Sequence, residues 1–266
     1  MSKVVLITGS STGIGRETAK YFASRDWAVV ATMRSPEKCP KELLDAKNVG
    51  VARLDVLDID SIRDAMRFAV KKHGRIDVVV NNAGYSLAGE LESSTREQIE
   101  RQIRTNLIGL ISVTKEVTPI FRSQGGGMII NVSSVGGRVA IPRFSVYAAT
   151  KWGIEGFSES LYHEVKPYNI AIKIVEPGFI QTDFYTRSMD HAGSDKSAGL
   201  NPENSARERT GSPPIVVART IFKAASSRNR KLRYSSGKMS TTALLLRRLL
   251  PDAPFLPLVS RMAKRM

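Results

Sequence analysis

The feature that most constrains this chain is a glycine-rich turn that joins a short apolar run to a helical pattern near the N-terminus. Residues 4–7 are Val-Val-Leu-Ile, and the turn Thr8-Gly-Ser-Ser-Thr-Gly-Ile-Gly15 follows them directly. Glycines let the backbone turn sharply and approach a pyrophosphate, which then lies at the positive end of the following helix. No Gly-Lys-Ser/Thr follows, so the phosphate loop of an ATPase is excluded. The turn therefore predicts a dinucleotide site contacted by Gly9, Ser11, Thr12, Gly13, Ile14 and Gly15.

Apolar runs bounded by turn residues alternate with helical patterns along the first two thirds of the chain. Strands are predicted at residues 4–7, 28–32, 50–54, 78–80, 128–132 and 171–175. Helices are predicted at 15–25, 60–73, 95–124 in one or two pieces, and 147–166, where Lys166-Pro167 ends the last helix. This alternation predicts an α/β fold: a single doubly wound parallel sheet of the Rossmann type, with helices on both faces and right-handed crossovers.

In the last third of the chain the alternation of strand and helix patterns stops at residue 183 and resumes after residue 214. Residues 183–214 are polar and rich in turn formers, and a segment of this length inside a compact domain predicts a lid over the substrate. A helix at 215–225, a short strand at 231–234 and a helical run at 243–250 follow, and residues 243–266 form a basic, apolar C-terminal tail. At 266 residues without an internal repeat, we expect one dinucleotide-binding catalytic domain.

Composition excludes several classes of protein. Cys39 is the only cysteine, which rules out an intrachain disulfide, and the three histidines lack the close spacing of a usual metal site. The N-terminal apolar run is too short for a signal-peptide core, and no run reaches the ~18 apolar residues of a membrane-spanning helix. We therefore expect a soluble, cytoplasmic protein without a bound metal.

The formal net charge is +15, and much of the excess lies between residues 207 and 264. Such a balance can indicate a nucleic acid, an anionic membrane or a polyanionic ligand as partner. No helix-turn-helix, zinc-finger or basic-zipper pattern accompanies it, so no nucleic-acid partner is expected. The run 244–250, Leu-Leu-Leu-Arg-Arg-Leu-Leu, leaves two alternatives. The tail makes peripheral contact with an anionic membrane, or it packs over the pocket or against a neighbouring subunit.

The end of the second predicted strand indicates which dinucleotide is bound. An enzyme that uses NAD places an acidic residue there, roughly 20 residues beyond the glycines, to bind the ribose hydroxyls. Residues 28–36 contain no Asp or Glu, and Arg34 occupies the strand end. A guanidinium can hold a 2′-phosphate through paired, charge-assisted hydrogen bonds. NADP(H) is therefore the predicted cofactor, with a solvated loop arginine as the alternative.

Four motifs in this order resemble the short-chain dehydrogenase/reductase family. They are the glycine turn, Asn81-Asn82-Ala83-Gly84, Ser134 and Tyr147-Ala-Ala-Thr-Lys151. The resemblance covers roughly residues 3 to 183. The Thr-Met-Arg strand end and the chain length are most similar to the NADP(H)-using branch around hydroxysteroid 17β-dehydrogenases, retinol dehydrogenases and carbonyl reductases.

For the adenosine half of the cofactor, the resemblance implies two sets of contacts. Asp55 and Val56 are similar to the segment that contacts the adenine, although Asp55 would also serve as a simple turn former. Asn82, Ala83 and Gly84 are similar to the turn that lies beside the adenosine ribose.

For the nicotinamide half, Pro177, Gly178, Ile180 and Thr182 are similar to the segment that holds the carboxamide, with a plain strand-ending turn as the alternative. Asn106 is similar to the family's asparagine, which bends its helix and carries a water-linked proton relay to the lysine. The alternative for Asn106 is a polar helical residue that faces solvent.

Carbonyl reduction by hydride creates negative charge on oxygen, so the site needs a proton donor and a hydrogen-bonding group. Tyr147 can donate the proton. Lys151 lies one helical turn later on the same face, where its charge favours the phenolate and both side chains can contact the cofactor. Ser134 would bind the oxygen; it precedes Tyr147 by thirteen residues, as the family's serine does. Ser133 remains an alternative, because a one-residue shift at the strand end would exchange the two.

The loops that would roof the pocket are largely uncharged, which predicts an apolar carbonyl or secondary alcohol such as a steroid, a retinoid or another hydrophobic compound. We expect an NADP(H)-dependent oxidoreductase that acts on this class as a homodimer or homotetramer. Two rivals remain: a catalytically idle NADP(H)-binding sensor or scaffold, and a membrane-surface protein that acts through its basic tail.

Overall fold

A parallel β-sheet covered by helices on both faces forms the centre of the protein. The computed structural model describes residues 2–182, 188–193, 211–227, 229 and 231–264. The strands are β1 (Val4–Ile7), β2 (Ala28–Met33), β3 (Val49–Arg53), β4 (Val78–Asn81), β5 (Ser86–Ala88), β6 (Gly127–Val132), β7 (Ile170–Pro177), β8 (Met189–His191) and β9 (Arg233–Ser236). The α-helices are α1 (Gly13–Ala23), α2 (Lys41–Leu44), α3 (Ile59–His73), α4 (Arg96–Ile103), α5 (Gly109–Ser123), α6 (Ser145–Val165), α7 (Pro214–Ser226), α8 (Ser240–Leu249) and α9 (Asp252–Lys264).

Seven strands form the main sheet in the order β3-β2-β1-β4-β6-β7-β9, and every neighbouring pair is parallel. The predicted doubly wound fold is therefore confirmed. Strands β1, β2 and β4 are fully buried Val/Ile-rich runs, as expected for strands covered on both faces. The strand order reverses between β1 and β4, because the helices that follow these two strands pack on opposite faces of the sheet, and this arrangement leaves a crevice at the carboxyl edge.

Two apolar cores hold the helices on the sheet. On one face, Phe22 of α1 packs edge-on against Trp27 and against Phe222 of α7, with ring centres 5.0 and 5.1 Å apart. Such pairs contribute about 0.5–1.5 kcal/mol beyond their buried area. On the other face, Met66 of α3 and Phe121 of α5 belong to a buried cluster that extends onto α6. The sheet edge that carries the site is thus held by packed helices on both sides.

Short polar signals determine where several of these helices begin and end. The Asp58 side chain accepts hydrogen bonds from the Asp60 and Ser61 amides at the start of α3, and Gly74 ends that helix in the left-handed conformation. Thr95 and Gln98 form a reciprocal capping box at the start of α4.

The predicted helix at 95–124 is two helices joined by a π-turn at Arg104–Ile108. Such a turn inserts an extra residue into the helical repeat and changes the direction in which neighbouring side chains point. It carries Asn106, one of the predicted site residues.

Two short strands escape the sequence patterns. Strands β5 and β8 pair in parallel as a second, two-stranded sheet. Strand β8 lies inside the segment 183–214 that was predicted as a lid. That segment is also attached at residue 212, where Ser212 forms an isolated bridge with Ile180. Residues 183–187 and 194–210 of the predicted lid lie outside the described residues, as do Arg228 and Arg230 of the basic region, so the lid stays a prediction.

The C-terminal tail is more helical than its sequence pattern predicts. The helical run expected at 243–250 begins at Ser240, and the proline-rich stretch after it forms α9 with Pro257 inside the helix. Together α8 and α9 make a hairpin, which we call the C-terminal hairpin (residues 240–264). Across the described part of the chain, no helix combines the length and apolar character that crossing a bilayer requires.

Candidate active site

A cavity of about 690 Å³ lies at the carboxyl edge of the sheet. Its walls come from the loops after β1, β2, β3, β4, β6 and β7, from the start of α6, and from the C-terminal hairpin. The cavity is therefore at the strand-order reversal, where a doubly wound sheet binds its ligand.

The glycine turn and the turn after β4 are fastened to each other at one end of this cavity. The Thr8 hydroxyl oxygen accepts hydrogen bonds from the amides of Asn82 and Ala83, each 3.0 Å long. The Asn82 side-chain amide donates back to the carbonyl oxygens of Thr8 and Gly9 at 2.9 and 3.2 Å. Gly9 has a φ of +69°, a conformation that side chains with a Cβ rarely adopt. These contacts hold the turn open at the N-terminus of α1, where a pyrophosphate would bind.

Almost all of the predicted cofactor residues line this cavity. They are Gly9, Ser11, Thr12, Gly13, Ile14, Arg34, Asp55, Val56, Asn82, Ala83, Gly84, Tyr147, Lys151, Pro177, Gly178, Ile180 and Thr182. Gly15 is the exception and lies behind the wall, where α1 approaches the backbone of the turn. These residues fit a nicotinamide dinucleotide because the loop glycines leave space for a pyrophosphate beside the helix terminus.

The loops after β2 and β3 bring Arg34 and Asp55 to the same end of the cavity. Arg34 directly follows β2, as the sequence pattern predicts, and it is exposed. Asp55 lines the cavity, and its carboxylate also accepts a hydrogen bond from the Leu57 amide at 3.0 Å. Asp55 therefore forms a turn as well as a wall, so the two interpretations of this residue are compatible.

The catalytic side chains predicted from sequence converge near the middle of the cavity. Tyr147 lies in the first turn of α6, and the Lys151 ammonium is 5.7 Å from the centre of its ring. Ser134 follows β6, and its Oγ accepts a hydrogen bond from the Gly136 amide at 3.0 Å. A Cβ built on Gly136 would lie 3.3 Å from Tyr147 Cε1 and 3.4 Å from Ser134 Oγ, so both side chains flank this glycine.

The two candidate serines have different surroundings. Ser133 also contributes to the cavity lining, but it is almost fully buried and its hydroxyl lies beside Gly137, next to the Glu155 side chain. Ser134 lies beside Gly136, on the side facing Tyr147. The geometry therefore favours Ser134 over Ser133 as the group that meets a substrate oxygen.

Lys151 is buried at the base of the site. Its Nζ donates a hydrogen bond to the Val132 carbonyl oxygen at 2.9 Å. Burial lowers the pKa of Lys151 to about 8, and the Glu155 carboxylate opposes this shift. Near neutral pH the side chain remains a cation next to the tyrosine, as the proposed chemistry requires.

Asn106 is buried, so the alternative of a solvent-facing polar residue is wrong. Its side chain accepts from the Tyr85 amide at 3.0 Å and donates to the Tyr85 carbonyl oxygen at 2.8 Å. It also donates to the hydroxyl of Thr150, the residue that precedes Lys151, at 3.3 Å. Asn106 does not line the cavity, and these bonds join the π-turn to α6 and to the loop before β5. The water-linked relay to Lys151 stays a prediction.

The substrate end of the cavity is apolar and is closed by the C-terminal hairpin. Its lining includes Val139, Phe144, Leu246, Phe255 and Val259. Phe255 and Val259 of α9 form a small buried cluster with Val139, against which Leu246 of α8 packs. The tail therefore packs over the pocket, as one of its two alternatives predicts, and contact with an anionic membrane stays a prediction.

The opposite rim belongs to the described part of the predicted lid. Arg101 of α4 forms an ion pair with Asp190 of β8 and donates to the Tyr85 hydroxyl at 3.2 Å. Gln98 of the same helix donates to the His191 carbonyl oxygen at 3.0 Å. Residues 188–191 are thus anchored on α4 beside the cavity.

Sequence patterns missed a buried cluster of charges directly behind Lys151. Arg233 of β9 donates to Glu155 at 2.9 Å and to Glu159 at 2.8 Å, and its Nε lies 3.8 Å from Glu176. Glu155 and Glu176 are almost fully buried, and one oxygen of each has no hydrogen-bond partner among the described residues. Burial, reinforced by the charge of Glu155, raises the pKa of Glu176 to about 7. An acidic residue in the apolar run Ile-Val-Glu-Pro was the available signal for this cluster.

Replacing Glu176 with Gln is expected to stabilise the protein in a pH-dependent way. The pKa of the Glu176 carboxyl is raised in the folded state. The side chain therefore lowers the free energy of unfolding only slightly below pH 4.5, and by progressively more as the pH rises from there to about 7. We expect the gain in unfolding free energy for Glu176→Gln to be about 2 kcal/mol larger at pH 8 than at pH 5. Urea unfolding at the two pH values measures this gain. Glu159 is the exposed acidic partner of Arg233, so Glu159→Gln is the control, and its effect on stability should depend little on pH. Equal gains for Glu176→Gln at both pH values would contradict the interpretation of Glu176 as a buried acid.

Comparison with known proteins places the chain in a family. The profile described as short chain dehydrogenase matches residues 3–192. The chain belongs to the short-chain dehydrogenase/reductase family. It is 41% identical over 230 residues to an uncharacterized oxidoreductase of Schizosaccharomyces pombe, covering 84% of this chain and 96% of the relative. It is 33% identical over 251 residues to a 3-ketodihydrosphingosine reductase of Bacteroides thetaiotaomicron, covering 89% and 88%.

Solved structures of the family agree with the fold. ElxO with NADP bound has a TM-score of 0.73 and 28% identity, covering 88% of this chain and 98% of that one. A short-chain dehydrogenase/reductase from Burkholderia phymatum in complex with NAD has a TM-score of 0.83 at 21% identity, covering 97% and 95%. Relatives of this short-chain dehydrogenase/reductase thus bind NADP or NAD, and the chain is an oxidoreductase of this family.

Proposed function

We propose that this short-chain dehydrogenase/reductase reduces apolar carbonyl compounds with NADPH. The observation that carries the proposal is the position of Tyr147, Lys151 and Ser134 at the junction of two unlike parts of one cavity. On one side lies the glycine-turn cradle, and on the other lies an apolar chamber closed by the C-terminal hairpin. When bound, NADPH supplies the hydride for the carbonyl carbon.

The side chains divide the remaining chemistry between them. Ser134 donates a hydrogen bond to the carbonyl oxygen and positions it beside Tyr147. The Tyr147 hydroxyl gives its proton to the same oxygen as the negative charge develops there, which leaves a phenolate. Lys151 stabilises that phenolate by its charge at short range. Solvent returns the proton to Tyr147, so the balance is one carbonyl, one hydride and one proton converted to one alcohol.

The preference for NADP(H) over NAD(H) rests on Arg34. It directly follows the last residue of β2 and lines the cavity, and that strand carries no acidic residue. A carboxylate at this place would repel a 2′-phosphate, whereas a guanidinium attracts it. The relative with NADP bound supports the same choice.

Replacing Arg34 with Ala should weaken the binding of NADPH by about 10- to 100-fold and leave NADH almost unaffected. The loss corresponds to hydrogen bonds to a charged phosphate, which contribute about 1.5–3 kcal/mol. Titration of the change in protein fluorescence with each dinucleotide gives both dissociation constants. Arg53→Ala is a matched control, because Arg53 ends the adjacent strand β3 but pairs with Asp58 at 2.9 Å outside the cavity. Equal losses for NADPH and NADH in Arg34→Ala would show that Arg34 does not discriminate between them.

The substrate class follows from the chamber beyond Tyr147. Aromatic and aliphatic side chains from the β6–α6 loop and the hairpin make up most of its wall. A steroid, a retinoid or a long-chain ketone would satisfy this lining, and the similarity to a 3-ketodihydrosphingosine reductase favours a carbonyl on a long apolar chain.

The test is NADPH consumption with a panel of ketones and aldehydes that share one reactive group and differ in apolar size. The catalytic efficiency kcat/KM should rise with apolar size until the substrate exceeds the chamber. Binding of NADPH without turnover of any compound in the panel would favour the idle sensor instead. A preference for small or charged carbonyls would contradict the proposed substrate class. The homodimer or homotetramer stays a prediction.

A further inference from the structure

The C-terminal hairpin has two faces of different character. Its inner face forms part of the wall of the cavity, with Leu246 on α8 and Phe255, Val259 and Met262 on α9. The hairpin is therefore the layer that separates the apolar chamber from the outside of the molecule. Whatever contacts its outer face lies one helix thickness from the proposed substrate.

The outer face exposes large apolar side chains. Leu245 and Leu249 of α8 are 53% and 67% exposed, and they lie four residues apart on one side of the helix. Leu256 of α9 is 55% exposed. Exposed leucines are ordinary when they occur singly, but here three occur on one hairpin, accompanied by exposed Pro254 and Pro257.

Cations accompany these leucines. Lys238, Arg248 and Arg261 are exposed, and Arg248 lies beside Leu245 and Leu249 on α8. Between residues 231 and 264 the sequence contains one acidic residue, Asp252. Its carboxylate is paired with Arg247 at 2.5 Å. The outer face thus combines apolar groups with an excess of positive charge that no neighbouring acid of this segment offsets.

This combination fits one kind of partner best. A second copy of the same face would bring like charges together across the contact, which opposes association. A nucleic acid would pair with the cations through its phosphates but would not bury the leucines. An anionic bilayer satisfies both, because its headgroups attract the cations while its acyl region takes up the leucines.

We propose that the C-terminal hairpin docks on the surface of an anionic bilayer through Leu245, Leu249 and Leu256 and the cations around them. The hairpin then lies between lipid and cavity, so an apolar carbonyl dissolved in the bilayer would reach Tyr147 by passing the hairpin without crossing bulk water. Membrane binding is inferred from the exposed leucines and cations alone, whereas the delivery of substrate rests on the proposed function.

Co-sedimentation of the full-length protein with phosphatidylcholine vesicles, with and without phosphatidylserine, tests the docking. We expect binding to the phosphatidylserine vesicles, much weaker binding to phosphatidylcholine alone, and reversal at high salt. Leu245→Ser with Leu249→Ser should lower the vesicle affinity by about 10-fold or more, because two side chains no longer transfer from water to lipid. Neither leucine lines the cavity, so turnover of a water-soluble carbonyl without vesicles should match the wild type.

Matched controls separate this surface from the general charge and apolar content of the chain. Leu44→Ser with Leu91→Ser removes two leucines of similar exposure, each 57%, from other surfaces. Arg248→Gln with Arg261→Gln should weaken binding by about 30-fold, at roughly 1 kcal/mol for each cation near an anionic surface. Arg67→Gln with Arg96→Gln removes the same charge from α3 and α4 and should have little effect.

The proposal is overturned if wild-type protein binds both vesicle types equally, or if the hairpin variants bind like their controls. It is also overturned if light scattering shows that the leucine variants change the oligomeric state while vesicle binding persists. Absence of reductase activity with intact vesicle binding would contradict the proposed function and leave the docking in place.

Discussion

Tyr147→Phe should lower kcat for carbonyl reduction by about 100-fold or more while leaving the dissociation constant of NADPH nearly unchanged. The substitution removes one hydroxyl and keeps the ring, so it deletes the proton donor without opening a cavity. General acid catalysis by a positioned side chain contributes about 10²–10⁴-fold, which sets the expected size of the loss. Steady-state kinetics with an apolar ketone and a separate NADPH titration measure the two quantities.

The specificity of this loss depends on the position of the tyrosine. The Lys151 cation lies 5.7 Å from the Tyr147 ring, and Ser134 Oγ lies beside the same glycine as that ring. The substitution therefore removes the hydroxyl that lies between the buried Lys151 cation and the substrate oxygen, although substrate and cofactor can still bind. The expected result is a fall in kcat, with KM little changed.

Tyr162→Phe on the same helix is the matched control. Tyr162 is partly buried and packs edge-on to His163 at 5.3 Å, and it does not line the cavity. Its loss of a hydroxyl should leave turnover within about twofold of the wild type, since surface changes away from the site are small. Near-normal turnover by a well-folded Tyr147→Phe protein would remove Tyr147 from its assigned role.

The sequence alone predicts those parts of the site that depend on local spacing. The glycine turn directly follows a buried strand, and Tyr147 and Lys151 are one helical turn apart, so the chain itself brings these groups into register. Arg34 is likewise placed by the end of a strand. In each case the relevant partners lie on one element or at one edge of the sheet, and the periodicities of helix and strand are sufficient to locate them.

The parts that escaped prediction depend on contacts between distant segments. Glu155, Glu176 and Arg233 meet because β7 and β9 pair next to α6, and no local pattern records that neighbourhood. Strands β5 and β8 have three residues each, which is too short for an alternation to be recognised. Helix α9 contains Pro257, whose missing amide normally argues against a helix, yet the packing of Phe255 and Val259 beside the cavity stabilises it.

Gly15→Ala should weaken NADPH binding by about 100-fold or more, although Gly15 does not line the cavity. A Cβ at this position would lie 2.5 Å from the side-chain nitrogen of Asn82 and still closer to the carbonyl oxygen of Gly9. Both atoms belong to the contact that holds the glycine turn against the turn after β4. The methyl group therefore has to displace the Gly9 backbone toward the space that the pyrophosphate would occupy.

This displacement lowers both the stability of the protein and its affinity for NADPH. Overpacking a tight contact costs about 1–3 kcal/mol in stability, and the displaced turn loses amide contacts to the phosphates in addition. We therefore expect a lower urea midpoint together with the loss of NADPH affinity. Gly156→Ala is the matched control because no atom lies within 4 Å of its added Cβ on α6. Alanine there should leave NADPH binding unchanged and stabilise the helix by up to about 1 kcal/mol. If Gly15→Ala bound NADPH as tightly as Gly156→Ala, the close approach of α1 to the glycine turn would not be what shapes the cofactor site.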